Sequence, residues 1–180
     1  MRAIIIIIVL SLQISSWSEQ VTNRIVSPFV RNKTDNIITA TVNQIQSVSN
    51  QVAYLANIAN GVSNVSSRAR TTAILLLVQS KSKEAIDVLL QNLLFEDEVT
   101  GDHPAQDALI DIGPQCATNI MDYIIKTNKL SPAVIKASDT LWKIYYCKYG
   151  NEKEYIDFVD RYKKQLSPDK YEYLRTTINR

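Results

Sequence analysis

The chain has 180 residues, 46% of them hydrophobic, with 20 Lys and Arg against 18 Asp and Glu, one His, two Cys and four Gly. That inventory excludes a collagen, a disordered tail and a disulfide-dense miniprotein, and it has too few Cys and His for an ordinary structural zinc site and too few glycines for a phosphate cradle. A formal net charge of +2 gives no electrostatic footprint for duplex nucleic acid, so neither a cofactor nor a nucleic-acid partner is expected.

Residues 1–18 predict a signal peptide. Met1 and Arg2 give a positive start, an apolar run follows that includes five isoleucines at 4–8, and Ser16 and Ser18 fit the −3 and −1 positions of a cleavage site after Ser18. The run is about 12 residues long where a membrane span needs roughly 20. A secreted or periplasmic protein with no stable span after cleavage is therefore expected. Residues 19–33 read as irregular, with Ser27 and Pro28 breaking any helix. Asn32 and Asn64 each open an N-x-[ST] triplet, which matters for glycosylation if the source is a eukaryote.

The span 34–61 predicts one polar amphipathic helix. Its stripe of Ile38, Val42, Ile45, Val48, Val52, Leu55 and Ala59 is spaced three or four apart, and Gly61 is a natural stop. A stripe this narrow suits packing on its own domain, or self-association through residues 38–59 as a coiled-coil seam.

From residue 66 onward the apolar period stays near 3.6, which predicts an all-α domain over 66–180. Ala73, Ile74 and Leu77 mark one helix, and Ala85, Ile86, Leu89, Leu90, Leu93 and Leu94 mark its partner. The first set returns 35 residues later as Ala108, Leu109 and Ile112; the second returns 31 residues later, from Cys116 to Ile125. A helix pair repeating with a period in the thirties points to an α-solenoid. A third pair is predicted from Ser131 and Pro132, an N-cap and first-turn proline, to a stop at Gly150. Its partner runs over 152–165 with Tyr155, Ile156, Val159 and Tyr162 inward, and a last helix begins at Ser167 and runs through Ile178.

The stretch 103–125, with Ala108, Leu109, Ile112 and Gly113 followed by Pro114 and an aliphatic ladder, resembles a HEAT repeat of the prokaryotic type; His103 and Pro104 stand where that family usually carries Val-Arg. The resemblance implies a short α-solenoid of about three HEAT-like antiparallel helix pairs plus an extra N-terminal helix. The turn at 146–151 resembles that of a tetratricopeptide repeat, an alternative architecture.

Chemistry is sparsely signalled. Glu96, Glu98, Thr100, Gly101 and Asp107 loosely follow calcium-loop spacing, but Pro104 opens a helix before the loop could wrap an ion. His103 has no nucleophile placed beside it by a recognisable motif. Cys116 and Cys147 sit on consecutive helices about one turn out of register, so a disulfide and two separate thiols both stay open. Residues 81–112 carry two basic against eight acidic side chains, whereas 141–180 carry nine against six and hold nine of the 14 aromatics. Tyr146, Lys148, Tyr149 and Arg161 are therefore expected to form a recognition surface, the alternative being that the rings merely close the end of the stack. The expected function is an exported non-catalytic helical-repeat module for protein–protein interaction or scaffolding. A small exported enzyme or lyase on the same scaffold, and an oligomeric structural protein built through the N-terminal helix, are the alternatives.

Overall fold

The computed structural model describes residues 33–62 and 65–177. The signal-peptide reading of 1–18, the irregular stretch that precedes residue 33, and the glycosylation triplets' Asn32 and Asn64 lie outside the described residues. Among those residues the fold is all-α, with no strand. The helices are α1 (Lys33–Gln44), α2 (Val48–Ala59), α3 (Ser67–Leu77), α4 (Lys83–Gln91), α5 (Pro104–Ile112), α6 (Ala117–Lys126), α7 (Pro132–Tyr149), α8 (Glu152–Arg161) and α9 (Pro168–Thr176), and a 3₁₀ turn, Gly113–Cys116, leads into α6. None of them is long and apolar enough to cross a membrane.

Side-chain caps set most of the starts. Ser47, Ser66, Ser82 and Ser131 each accept a hydrogen bond from the backbone N–H three residues on, and Asn151 does the same for α8. Each such cap satisfies an amide that the helix itself leaves unpaired, worth about 1 kcal/mol. At the other end of α7, Gly150 takes the left-handed conformation at φ 61° that stops the helix as expected.

The single helix expected over 34–61 is two. Gln44 ends α1, Ser47 caps α2, and the Gln51 Nε2 donates to the carbonyls of Val42 and Ile45 at 3.1 and 2.9 Å. Those bonds satisfy acceptors that a continuous helix would have used, so the break is held by a side chain rather than by Gly or Pro. The stripe is divided accordingly: Ile38, Val42, Val52, Leu55 and Ala59 are buried in the fold, while Val48, at the junction, is 56% exposed. The residues that would have formed a seam are thus mostly occupied within the chain.

Packing joins neighbouring helices. Each of α2, α3 and α4 packs on the next helix and the one after it. The 3₁₀ turn packs on α5, α6 and α7, and α7 lies against both α5 and α6 before meeting α8, which meets α9. The positions spaced 35 and 31 residues apart are the core: Ala73, Ile74 and Leu77, like Ala108, Leu109 and Ile112, are buried, as are Leu89 and Leu90 with Ile120 and Met121. Leu94 departs from the expectation at 52% exposed, because α4 ends at Gln91 and the chain has left the helical track by residue 94. The partner helix α8 likewise ends at Arg161, ahead of the expected residue 165.

Buried polar groups tie these layers together, as they must once removed from water. Arg70 donates to the Ala59 carbonyl at 2.9 Å and to Asn92 Oδ1 at 3.3 Å, and Asn92 Nδ2 donates to Asn60 Oδ1 at 2.8 Å, linking α3 to the ends of α2 and α4. Gln106 on α5 donates to Thr140 at 3.2 Å and accepts from Lys143 at 3.2 Å, both on α7. Lys170 of α9, only 4% exposed, donates to the carbonyls of Ile124 at 2.8 Å and of Thr127, meeting the unpaired carbonyls at the end of α6.

Candidate functional site

Most of the aromatics of α7 and α8 form one chain of ring contacts. Tyr146 stacks on Trp142 with centroids 4.4 Å apart and planes 20° apart; both lie on α7, one turn from each other. Trp142 then meets the edge of Tyr155 at 5.3 Å, Tyr155 meets Tyr145 at 6.0 Å, and Tyr145 meets Phe158 at 5.6 Å. Beyond Phe158 stand Tyr162 at 5.2 Å and the Arg161 guanidinium, 5.1 Å above the Phe158 ring. Offset and edge contacts of this kind each add about 0.5–1.5 kcal/mol beyond the area they bury.

The inner rings are structural. Tyr155 is fully buried and its hydroxyl donates to the Leu174 carbonyl at 2.9 Å; burial holds its phenol far above the ordinary tyrosine value. Burial also pushes the Tyr145 phenol up, partly offset by the nearby Arg161 charge. The outer members differ. Consecutive positions on a helix point about 100° apart, and the two tyrosines divide accordingly: Tyr145 is 8% exposed and Tyr146 51%. Arg161 is exposed too, and among the described residues its guanidinium makes no ion pair.

Of the four residues expected to form a recognition surface, Tyr146 and Arg161 therefore both reach solvent, but at opposite ends of the ring chain, with four rings between them. The side chains of Lys148 and Tyr149 lie outside the described residues, as does that of Cys147. Cys116 is buried, and its thiol donates to the carbonyls of Gly113 at 3.1 Å and Leu109 at 3.4 Å.

The acidic loop between α4 and α5 is braced from within. Asp97 is buried; it accepts from the Thr71 hydroxyl on α3 and from the Val99 and Thr100 amides at 2.9 and 3.3 Å. The Thr71 bond first, and then the two amides, hold its carboxyl below the usual range against the opposing effect of burial. Its oxygens are thus engaged by the protein, and no group of three or more metal-ligating side chains is found among the described residues. His103 rests with Nδ1 3.3 Å from the Phe95 carbonyl. The nearby Asp107 carboxyl is pushed up, chiefly by desolvation and then by the Asp102 charge, while Lys143 works against the shift.

A feature not anticipated from sequence is a groove of about 340 Å³ between α4 and α6, lined by Asp87, Gln91, Asn119, Asp122 and Lys126 among others. On a linear reading these residues look like ordinary solvated helix faces; only the pairing of the two helices brings them to one place. Comparison with protein families, curated proteins and solved structures finds no match for this chain.

Proposed function

We propose that the chain is an exported, non-catalytic module that binds another protein, built as a short α-solenoid of HEAT-like helix pairs. Packing of α2, α3 and α4 each on the next helix and the next but one supports the solenoid reading, since stacked pairs bury their core by nearest-neighbour contact. Export rests on the sequence of residues 1–18.

The observation that carries the binding role is Tyr146. Its stacking partner and the inner rings anchor it, yet half of its own surface stays open to water. A large ring held in one orientation loses little freedom on binding and offers a polar hydroxyl besides its area, which is why tyrosine is favoured at interface hot spots. Arg161, raised over Phe158 with no carboxylate partner among the described residues, supplies a charged contact at the other edge.

Affinity capture from the secreted or periplasmic fraction, run in parallel with wild-type chain, Tyr146→Ala and Arg161→Ala, tests this reading. A protein retained by wild type and weakened about tenfold or more by Tyr146→Ala, with the melting temperature unchanged, is the expected result. Equal retention by all three chains would remove the aromatic end from the interface.

A further inference from the structure

We infer that α9 is a strap that opens separately from the rest of the helical stack, that Lys170 is the pin that closes it, and that its closure fixes the stacked Trp142 and Tyr146 rings through Tyr155. The last step deepens the binding reading of Tyr146 and rests on it, whereas the opening of α9 stands apart from any partner.

Little apolar burial holds α9 in place. Of its nine residues, Pro168–Thr176, only Lys170 and Leu174 are buried. By contrast α7 buries Val134, Ala137, Leu141 and Ile144. A helix as short as α9 does not persist in water without tertiary support. Its start is also weaker than most: Ser167 occupies the N-cap position but bonds no amide there, unlike Ser47, Ser66, Ser82 and Ser131. What remains is polar. The Tyr171 hydroxyl donates to Asp160 of α8 at 2.8 Å, the Tyr173 hydroxyl donates to Asp139 of α7 at 3.3 Å, and Lys170 reaches α6. Few buried apolar contacts together with hydrogen bonds that water can reach mark a segment that opens locally.

Lys170 makes the closure all-or-none. Its side chain is 4% exposed, and its partners are carbonyls: those of Ile124 at 2.8 Å, Ile125 at 3.5 Å and Thr127. Among the described residues it forms no ion pair. A buried ammonium without a counter-ion is tolerated only while several dipoles face it, and the carbonyl end of a helix supplies them. A half-withdrawn lysine would lose those carbonyls before water replaced them, so the seated and the solvated positions are both favoured over anything between.

The docked helix also reaches the aromatic chain. Leu174 follows Lys170 by one turn on the same buried face, and its carbonyl accepts from the Tyr155 hydroxyl at 2.9 Å. Tyr155 in turn meets Trp142 at 5.3 Å, and Trp142 carries Tyr146. When α9 lifts, the Tyr155 hydroxyl is left without its acceptor and turns toward water, and Trp142 loses the edge it rests against. A partner that binds Tyr146 in its anchored orientation therefore favours the closed strap, and by linkage the closed strap favours the partner.

The test is native-state hydrogen exchange on the full chain, read by mass spectrometry, with NMR of the Trp142 indole N–H beside it. In wild type the amides of α9 should exchange about tenfold or more faster than those of α3 to α7, with a flatter dependence on low urea. Ile74→Ala should speed exchange in the central helices and leave the rate at α9 unchanged, because the state with α9 open still holds that core. Exchange of α9 that speeds in step with the central helices would overturn the strap, and this arm needs no change at Lys170. Lys170→Met should raise α9 exchange about tenfold, and saturation-transfer NMR should then show the α9 amides and the Trp142 indole leaving their native signals at one rate. An unchanged α9 would overturn the pin, and an indole that stays out of the exchange would overturn the link to the rings. A protein captured by wild type should slow α9 exchange on binding; an unchanged rate in the complex would overturn the coupling to the partner. A captured protein that holds Tyr146→Ala as firmly as wild type would overturn the binding reading alone, since the first two arms involve no partner.

Discussion

The pair α3 and α4 and the pair α5 and α6 bury the same set of positions behind different turns. From Leu77 to Ala85 the first pair uses four more residues than the second uses from Ile112 to Cys116. In the second pair Gly113 takes φ 78° and ψ −153°, Pro114 follows at once, and the 3₁₀ turn delivers Cys116 into the core with its thiol donating to the Leu109 and Gly113 carbonyls. In the first pair there is no glycine; Lys81 adopts the left-handed conformation at φ 49°, and Ser82 caps the next helix. Despite this, Ile74 and Leu109 are both fully buried, as are Leu89 and Ile120. The same positions are buried behind turns of different length, so the turn has only to span the gap with allowed dihedrals.

The largest expected effect tests whether the two pairs are equal in energy as well as in burial. Ile74→Ala and Leu109→Ala occupy equivalent positions, and each should lower stability by about 2–5 kcal/mol in a urea melt. Values within about 1 kcal/mol of each other would support equivalence. A cost several-fold smaller at one of them would show that its pair can collapse around the lost volume and is the looser of the two.

The next effect distinguishes the pairs, because Asp97 ties the connector between them to the first. Asp97 bonds to Thr71 of α3 and to amides of its own loop. Asp97→Ala removes hydrogen bonds to a charged group and should cost about 1.5–3 kcal/mol at pH 7. The folded protein holds this carboxyl below its usual range, so its contribution is complete above the unfolded value near 3.9 and is lost as pH falls through the lower folded value. Wild type and Asp97→Ala should consequently converge in stability on acidification; a gap that stays constant from pH 7 to pH 2 would mean that charge plays no part.

How far these features could be read from the chain depends on the range of the interaction involved. The buried sets of both pairs, the start at Ser131 and Pro132, the stop at Gly150 and the division between Tyr145 and Tyr146 all follow from local spacing or local dihedral preference. The break at 45–47 does not, because it depends on Gln51 folding back to carbonyls six and nine residues earlier. Lys170 was invisible for the same reason: a lysine in a polar last helix looks solvated, and its carbonyl acceptors lie more than forty residues upstream. In the aromatic end, the exposed ring was legible and its partners across α8 were not. The groove between α4 and α6 left no trace in the sequence at all, since nothing in a run of Lys, Asp, Gln and Asn says which faces will be brought together.

Two turn substitutions carry the comparison to its smallest scale. The dihedrals of Gly113 belong to a region that is essentially glycine's alone, so Gly113→Ala should cost about 1–3 kcal/mol. The mirror experiment is Lys81→Gly. A left-handed L-residue is strained by roughly 1–2 kcal/mol, and glycine relieves that strain while adding about 0.5–1 kcal/mol of unfolded-chain entropy. The net change should be a stabilisation of less than about 1 kcal/mol, read as a small rise in the urea midpoint with an unchanged slope. A loss of stability at Lys81→Gly would mean that the lysine side chain, exposed as it is, contributes more to the turn than its backbone strain costs, and the two turns would then differ in kind rather than only in residue choice.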